Sequence, residues 1–153
     1  MFVDPNSVLK GTILVAAPHM DDGVLACGGT ISQLIGKEQV FFVYATDGSR
    51  SPVPVFPWQG SVSPDLPAIR EQEARTALGV LGIPEENVRF LRFPDGRLSA
   101  HSDELGRSLG DLMGRIAPAH VLIPFRYDRH PDHLALNQVM TDLLEGGGGG
   151  VLL

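Results

Sequence analysis

Four apolar runs, "TILVAAP" (12–18), "VFFVYAT" (40–46), "VRFLRF" (88–93) and "HVLIPF" (120–125), constrain this chain more than any other feature. Runs of this length suit strands buried on both faces of a sheet. Segments with helical spacing separate or follow them. Val24, Leu25, Ile31 and Leu34 mark the first. The second, "PAIREQEARTALGVLGI", sets Ile69, Ala74, Ala77, Leu78 and Leu81 on one face, and Gly82 and Pro84 close it. In the third, Leu105, Leu109, Leu112 and Ile116 run to a stop at Pro118. The fourth, "PDHLALNQVMTDLL", opens with Pro131 in a first-turn position. Strand and helix in alternation predict an α/β fold: a three-layer, Rossmann-like parallel sheet with helices on both faces. The expected strand order is 3-2-1-4-5, with "VLL" (151–153) starting the fifth strand.

At 153 residues the chain suits one compact domain, 1–153, with a real core. The net charge is −6 and the Lys and Arg residues are scattered, so no basic stripe marks a nucleic-acid partner. Cys27 is the one cysteine, which excludes an intrachain disulfide and fits a reducing compartment. No leader pattern and no membrane-length apolar run are present, so the expected location is cytoplasmic. Two inserts, 47–67 and 94–103, are rich in turn residues. The first is long for a plain connection and carries Trp58, which suits either a lid over a ligand or a loop packed on its own domain. Five glycines (146–150) precede the last three residues and cannot hold a helix, which suggests a truncated domain.

Ligands of open α/β sheets bind beyond the carboxyl ends of the strands, where the strand order reverses. "PHMDDG" (18–23) follows the first strand and "RYDRHPDH" (126–133) follows the fourth, so the expected order brings both to one crevice. Three of the five histidines (His19, His130 and His133) lie in these clusters beside Asp21, Asp22 and Asp132. Imidazole and carboxylate together favour Zn²⁺ or a similar divalent ion, and a spare carboxylate can serve as general base. Each cluster has a plainer reading. His19 could be a hydrogen-bonded structural residue, "DD" could cap a helix, and "HPDH" could be a turn into one. "ACGGT" is no dinucleotide fingerprint, and two acids at that turn would repel a pyrophosphate.

"PHMDDGVLACGGTI" resembles the signature His-Pro-Asp-Asp-Glu, small apolar residues, Gly-Gly-Thr-Ile of the LmbE/PIG-L-like zinc-dependent N-deacetylases. "RHPDH" resembles the family's second signature, and "ATDG", "RxxEAxxALGxLG" (70–82) and "FPDGxL" (93–98) resemble features between them. The resemblance implies removal of acetyl from an N-acetylated amino sugar or its conjugate, of N-acetylglucosamine type. It implies one Zn²⁺ per chain, held by His19, Asp22 and His133. Asp21 would be the general base on the attacking water. His130 would stabilise the oxyanion or act as acid, with Asp132 orienting it. Arg70 and Asp95 would bind substrate, although Arg70 and Glu73 also suit a helix ion pair at i, i+3. The partner is then a small amino sugar, with no membrane segment and no nucleic acid.

Met20 and Gly23 depart from the signature, which has proline and glutamate there. Gly23 removes an acid from the local network, and Gly28 and Gly29 are expected to let the first helix pack close to the sheet. Ser49 follows "TDG" where relatives often carry an acid, so sugar preference is expected to differ. The resemblance also implies a domain continuing past residue 153. Without that continuation the fourth strand has an open edge, which invites a homo-oligomer. Competing readings are another metal-dependent hydrolase, such as a phosphoesterase, and a non-catalytic metal-binding module.

Overall fold

The computed structural model of the chain describes residues 3–51, 65–146 and 151–152. Trp58, most of the 47–67 insert and residues 147–150 lie outside the described residues. A short helix α1 (Pro5–Val8), capped by Asp4, precedes β1 (Thr12–Ala17). Then come α2 (Asp22–Ile31), β2 (Gln39–Thr46), α3 (Leu66–Leu81), β3 (Val88–Phe93), α4 (Ser102–Ile116), β4 (His120–Leu122), α5 (Pro131–Gly146) and β5 (Val151–Leu152). The sheet is parallel in the order β3-β2-β1-β4-β5, as the alternation predicted. No helix among the described residues is long and apolar enough to cross a membrane.

The apolar runs are continuous because each strand feeds two cores. Ile13, Val15 and Ala17 of β1, with Phe42 and Tyr44 of β2, pack under α2 and α3 against Ala74 and Leu78. Leu14, Ala16, Val43 and Ala45 face the other way, against Leu105, Leu109 and Leu112 of α4 and Leu136 and Met140 of α5. α3 ends where Gly82 turns left-handed at φ 84° and its N–H closes the last turn, as its sequence signals indicated. β4 is shorter than the apolar run 120–125. Pro124 has no N–H to give a ladder, and its carbonyl accepts instead from Asn137 Nδ2 at 2.7 Å.

The glycines of the first helix divide the work differently from expectation. A Cβ on Gly29 would meet nothing within 4 Å, and one on Gly28 would meet only Val24 and Leu81. The close approach to the sheet is made by Gly23, where a Cβ would stand 2.9 Å from Phe42 Cε1 and 3.5 Å from Val15 Cγ1. Phe42 is fully buried and stacked on Tyr44, so it has no room to yield. The missing glutamate therefore has a steric cause, since Phe42 fills the space its stem would need. Gly23→Ala is expected to destabilise by about 1–3 kcal/mol through overpacking. Gly29→Ala should stabilise by up to about 1 kcal/mol through helix propensity. Denaturant midpoints of the two variants check this, and equal shifts would refute the packing account.

Candidate metal centre

The loop after β1 is tied down before it reaches His19. Thr46, buried at the end of β2, donates from both N and Oγ1 to the Pro18 carbonyl, at 2.9 and 2.8 Å. Met20 is buried where the signature has proline, and its sulfur packs toward Gly48. Gly48, at φ 66°, lets the "TDG" turn press against Met20 and Arg70; a Cβ there would lie 3.3 Å from the Arg70 stem. Asp47 Oδ1 accepts from Ser49 N and from Asp95 N, while Asp95 Oδ2 accepts from Arg50 N. The "ATDG" and "FPDG" motifs are thus two turns that hold each other.

His19, Asp22, His130, Asp132 and His133 converge at the carboxyl ends of neighbouring β1 and β4, as the strand order predicted. Asp22 Oδ2 lies between two imidazoles, 3.0 Å from His19 Nδ1 and 3.2 Å from His133 Nε2. The far nitrogen of each ring meets another carboxylate. His19 Nε2 is 3.3 Å from both Asp95 Oδ1 and Asp132 Oδ2, and His133 Nδ1 is 3.1 Å from Asp128 Oδ2. Among the described residues, two groups have donors that all lie within 4.8 Å of one another: His19, His130 and His133, and His19, Asp95 and Asp132. In the second group the carboxylates are already engaged with backbone N–H groups, which suits them to hold His19 rather than an ion.

Charge is distributed to favour a cation. Burial opposes ionisation of His19, but the Asp22 hydrogen bond and the charges of Asp22, Asp95 and Asp132 outweigh it and raise its pKa to about 9. Burial likewise opposes the Asp22 carboxylate, yet His19 and His133 hold it below the usual carboxylate range. Asp128 is lowered first by the backbone hydrogen bond from His130.

Two expected roles are revised by these contacts. Asp95 is buried, and its oxygens face His19 and the Arg50 N–H, so it is not presented to a substrate. The Asp132 carboxylate, 1% exposed, accepts from Gly96 N (2.7 Å) and Leu98 N (3.0 Å) and meets His19, not His130. What Asp132 gives His130 is its backbone N–H, 3.3 Å from Nδ1. The exposed His130 ring stands edge-on to His19, its centroid 4.7 Å away.

Asp21 occupies the N-cap position of α2 without a side-chain capping bond, and half of its side chain is exposed. Arg70 joins Asp21 Oδ2 at 3.4 Å and Glu73 Oε2 at 2.6 Å. The helix ion pair and the approach to the cluster therefore coexist. Asp128 was missing from the sequence reading, because an acid in a polar turn before "HPDH" carries no signal of its own. An open cleft of about 1150 Å³ runs from Asp22 and His133 past Leu25 and Cys27 of α2, Leu122 and Phe125, to Gln138 and Thr141 of α5.

The donor set fits a divalent ion. One carboxylate and two imidazoles are the residue types of a three-ligand site that leaves a position for water. Asp22 touches both His19 and His133, although this trio is not one of the groups whose donors all lie within 4.8 Å, and each imidazole has an outer carboxylate to fix its tautomer.

Comparison with known proteins gives the same direction. A deacetylase of Escherichia coli K12 that is itself uncharacterized, YaiS, is 30% identical over 134 residues, covering 84% of this chain and 65% of that protein. The N,N'-diacetylchitobiose deacetylase of Pyrococcus horikoshii superposes with a TM-score of 0.77 at 28% identity, over 93% of this chain and 52% of that one. GalB, the 4-carboxy-2-hydroxymuconate hydratase of Pseudomonas putida KT2440, gives 0.73 at 25% identity, over 88% and 55%. The chain thus spans between half and two thirds of the length of these relatives. The family description GlcNAc-PI de-N-acetylase matches residues 14–144, which takes in both signatures and every strand from β2 to β4. On that match the chain belongs to the PIG-L family.

Proposed function

We propose that this chain carries the active centre of a Zn²⁺-dependent hydrolase that removes acetyl from an N-acetylated amino sugar. The observation that carries the reading is the Asp22 carboxylate set between His19 and His133, with Asp21 beside it and half exposed. His19, Asp22 and His133 would hold the ion. When bound, Zn²⁺ supplies a Lewis acid that polarises the acyl carbonyl and eases deprotonation of water.

The chain's own groups do the rest. Asp21 takes the proton of the attacking water at a carboxylate oxygen and returns it to the leaving amine. Arg70, 3.4 Å from that carboxylate, holds it in orientation. His130 accepts the Asp132 N–H at Nδ1, so its neutral ring carries the proton on Nε2, from which it can donate to the oxygen developing charge on the acyl group. Asp132 and Asp95 hold the His19 ring from behind. The cleft beside Asp22 and His133 offers room for the remainder of a sugar conjugate.

A second reading comes from the likeness to the GalB hydratase, because adding water to a carbon–carbon double bond calls on the same base and acid. Release of free amine and acetate from N-acetylglucosamine and N,N'-diacetylchitobiose separates the two. Amine release is expected, with loss on chelation and recovery on adding one equivalent of Zn²⁺. No amine from any N-acetyl sugar, together with hydration of an unsaturated hydroxy-tricarboxylate, would establish the second reading instead.

A further inference from the structure

We infer that Asp128 is a positioning residue for the metal centre, fixing the ring and tautomer of His133 from outside. The inference rests on the reading of His133 as an ion ligand. An imidazole that binds an ion through one nitrogen keeps its proton on the other, and that N–H needs an acceptor to set the plane of the ring. His133 Nε2 faces Asp22 at 3.2 Å, and its Nδ1 faces Asp128 Oδ2 at 3.1 Å.

Asp128 is itself well anchored. Its Oδ1 accepts from His130 N at 2.8 Å, and its own N–H donates to the Phe125 carbonyl at 3.0 Å, closing the turn after β4. One carboxylate therefore governs two neighbours: it orients the His133 ring with one oxygen and fixes the backbone of His130 with the other. On the opposite side of the centre His19 is backed by Asp95 and Asp132. Those two are buried, whereas the Asp128 side chain is 34% exposed and outside both cores, so it can be replaced with little effect on folding.

Asp128→Ala removes the acceptor, and Asp128→Asn keeps an acceptor oxygen without the charge. Affinity for Zn²⁺ and Co²⁺ is measured by competition with a chromophoric chelator, and the visible spectrum of the Co²⁺ form reports ligand geometry. Asp128→Ala is expected to weaken both ions by about 10–100-fold and to change the Co²⁺ bands. The Asn variant should lie between it and the wild type. Wild-type affinity and an unchanged spectrum in Asp128→Ala would overturn the role of Asp128 alone. Failure of the wild type to take either ion would overturn the reading of the site as well. Should the Ala variant fail to fold, an Asn variant with wild-type affinity and spectrum would also overturn it.

Discussion

Asp21→Asn is expected to lower amine release by roughly 10²–10⁴-fold while leaving Zn²⁺ affinity within a factor of about two of wild type. An amide cannot take a proton from the attacking water at pH 7, so the base is lost. The proposed ligand set is untouched, because Asp21 makes no contact with His19 or His133 among the contacts described and turns instead to Arg70. At the N-cap position its side chain accepts no bond from the N–H groups of α2, so the helix does not depend on it. Steady-state rates and a metal titration on the same preparation check both halves. Turnover at the wild-type rate would remove Asp21 from the mechanism. Loss of metal together with turnover would move it into the ligand set.

Asp132→Ala should instead act through stability. The carboxylate is almost fully buried, and its removal leaves the N–H groups of Gly96 and Leu98 without their acceptor. It also takes one of the two acids behind His19. Unpaired buried donors and a broken buried ion pair together cost about 3–5 kcal/mol, a fall in Tm on the order of 10 °C for a domain of this size. Asp132→Asn retains one acceptor but turns an N–H₂ toward a backbone N–H, and should lose less. Thermal unfolding of the metal-free proteins checks the order. An Ala variant melting within about 2 °C of wild type would mean that the turn at 96–98 is held by other groups.

The sheet was legible because its evidence is local. Residues such as Leu14 and Val15 are buried on opposite faces, and that alone makes a continuous apolar run. The order that brings "PHMDDG" beside "HPDH" followed from the switch-point rule, and the resemblance supplied the identities of the expected ligands. What escaped depends on contacts between distant segments. The expected close-packing glycines were Gly28 and Gly29, yet the constraint falls on Gly23 because Phe42 lies beneath it, nineteen positions away. Asp95 was read as a substrate contact because the resemblance of "FPDGxL" implied it; its burial arises from the lock with Asp47 and Arg50, which no spacing reveals. Asp128 was absent from the reading for the same kind of reason, its meaning fixed only by where the His133 ring turns.

The position of the centre across β1 and β4 also bears on how the chain assembles. His19 and Asp22 leave a ribosome well before His133, which follows more than a hundred positions later; the His19–Asp132 contact spans 113 residues. A chain that has made β1, α2 and β2 owns only one imidazole and one carboxylate of the proposed set. An ion would gain the full proposed ligand set only after the short β4 has paired with β1, more than a hundred residues away in the chain. On the proposed ligand set, Zn²⁺ would not template this domain from the start. It would act as the last fastener, holding an architecture that hydrophobic burial has already brought together.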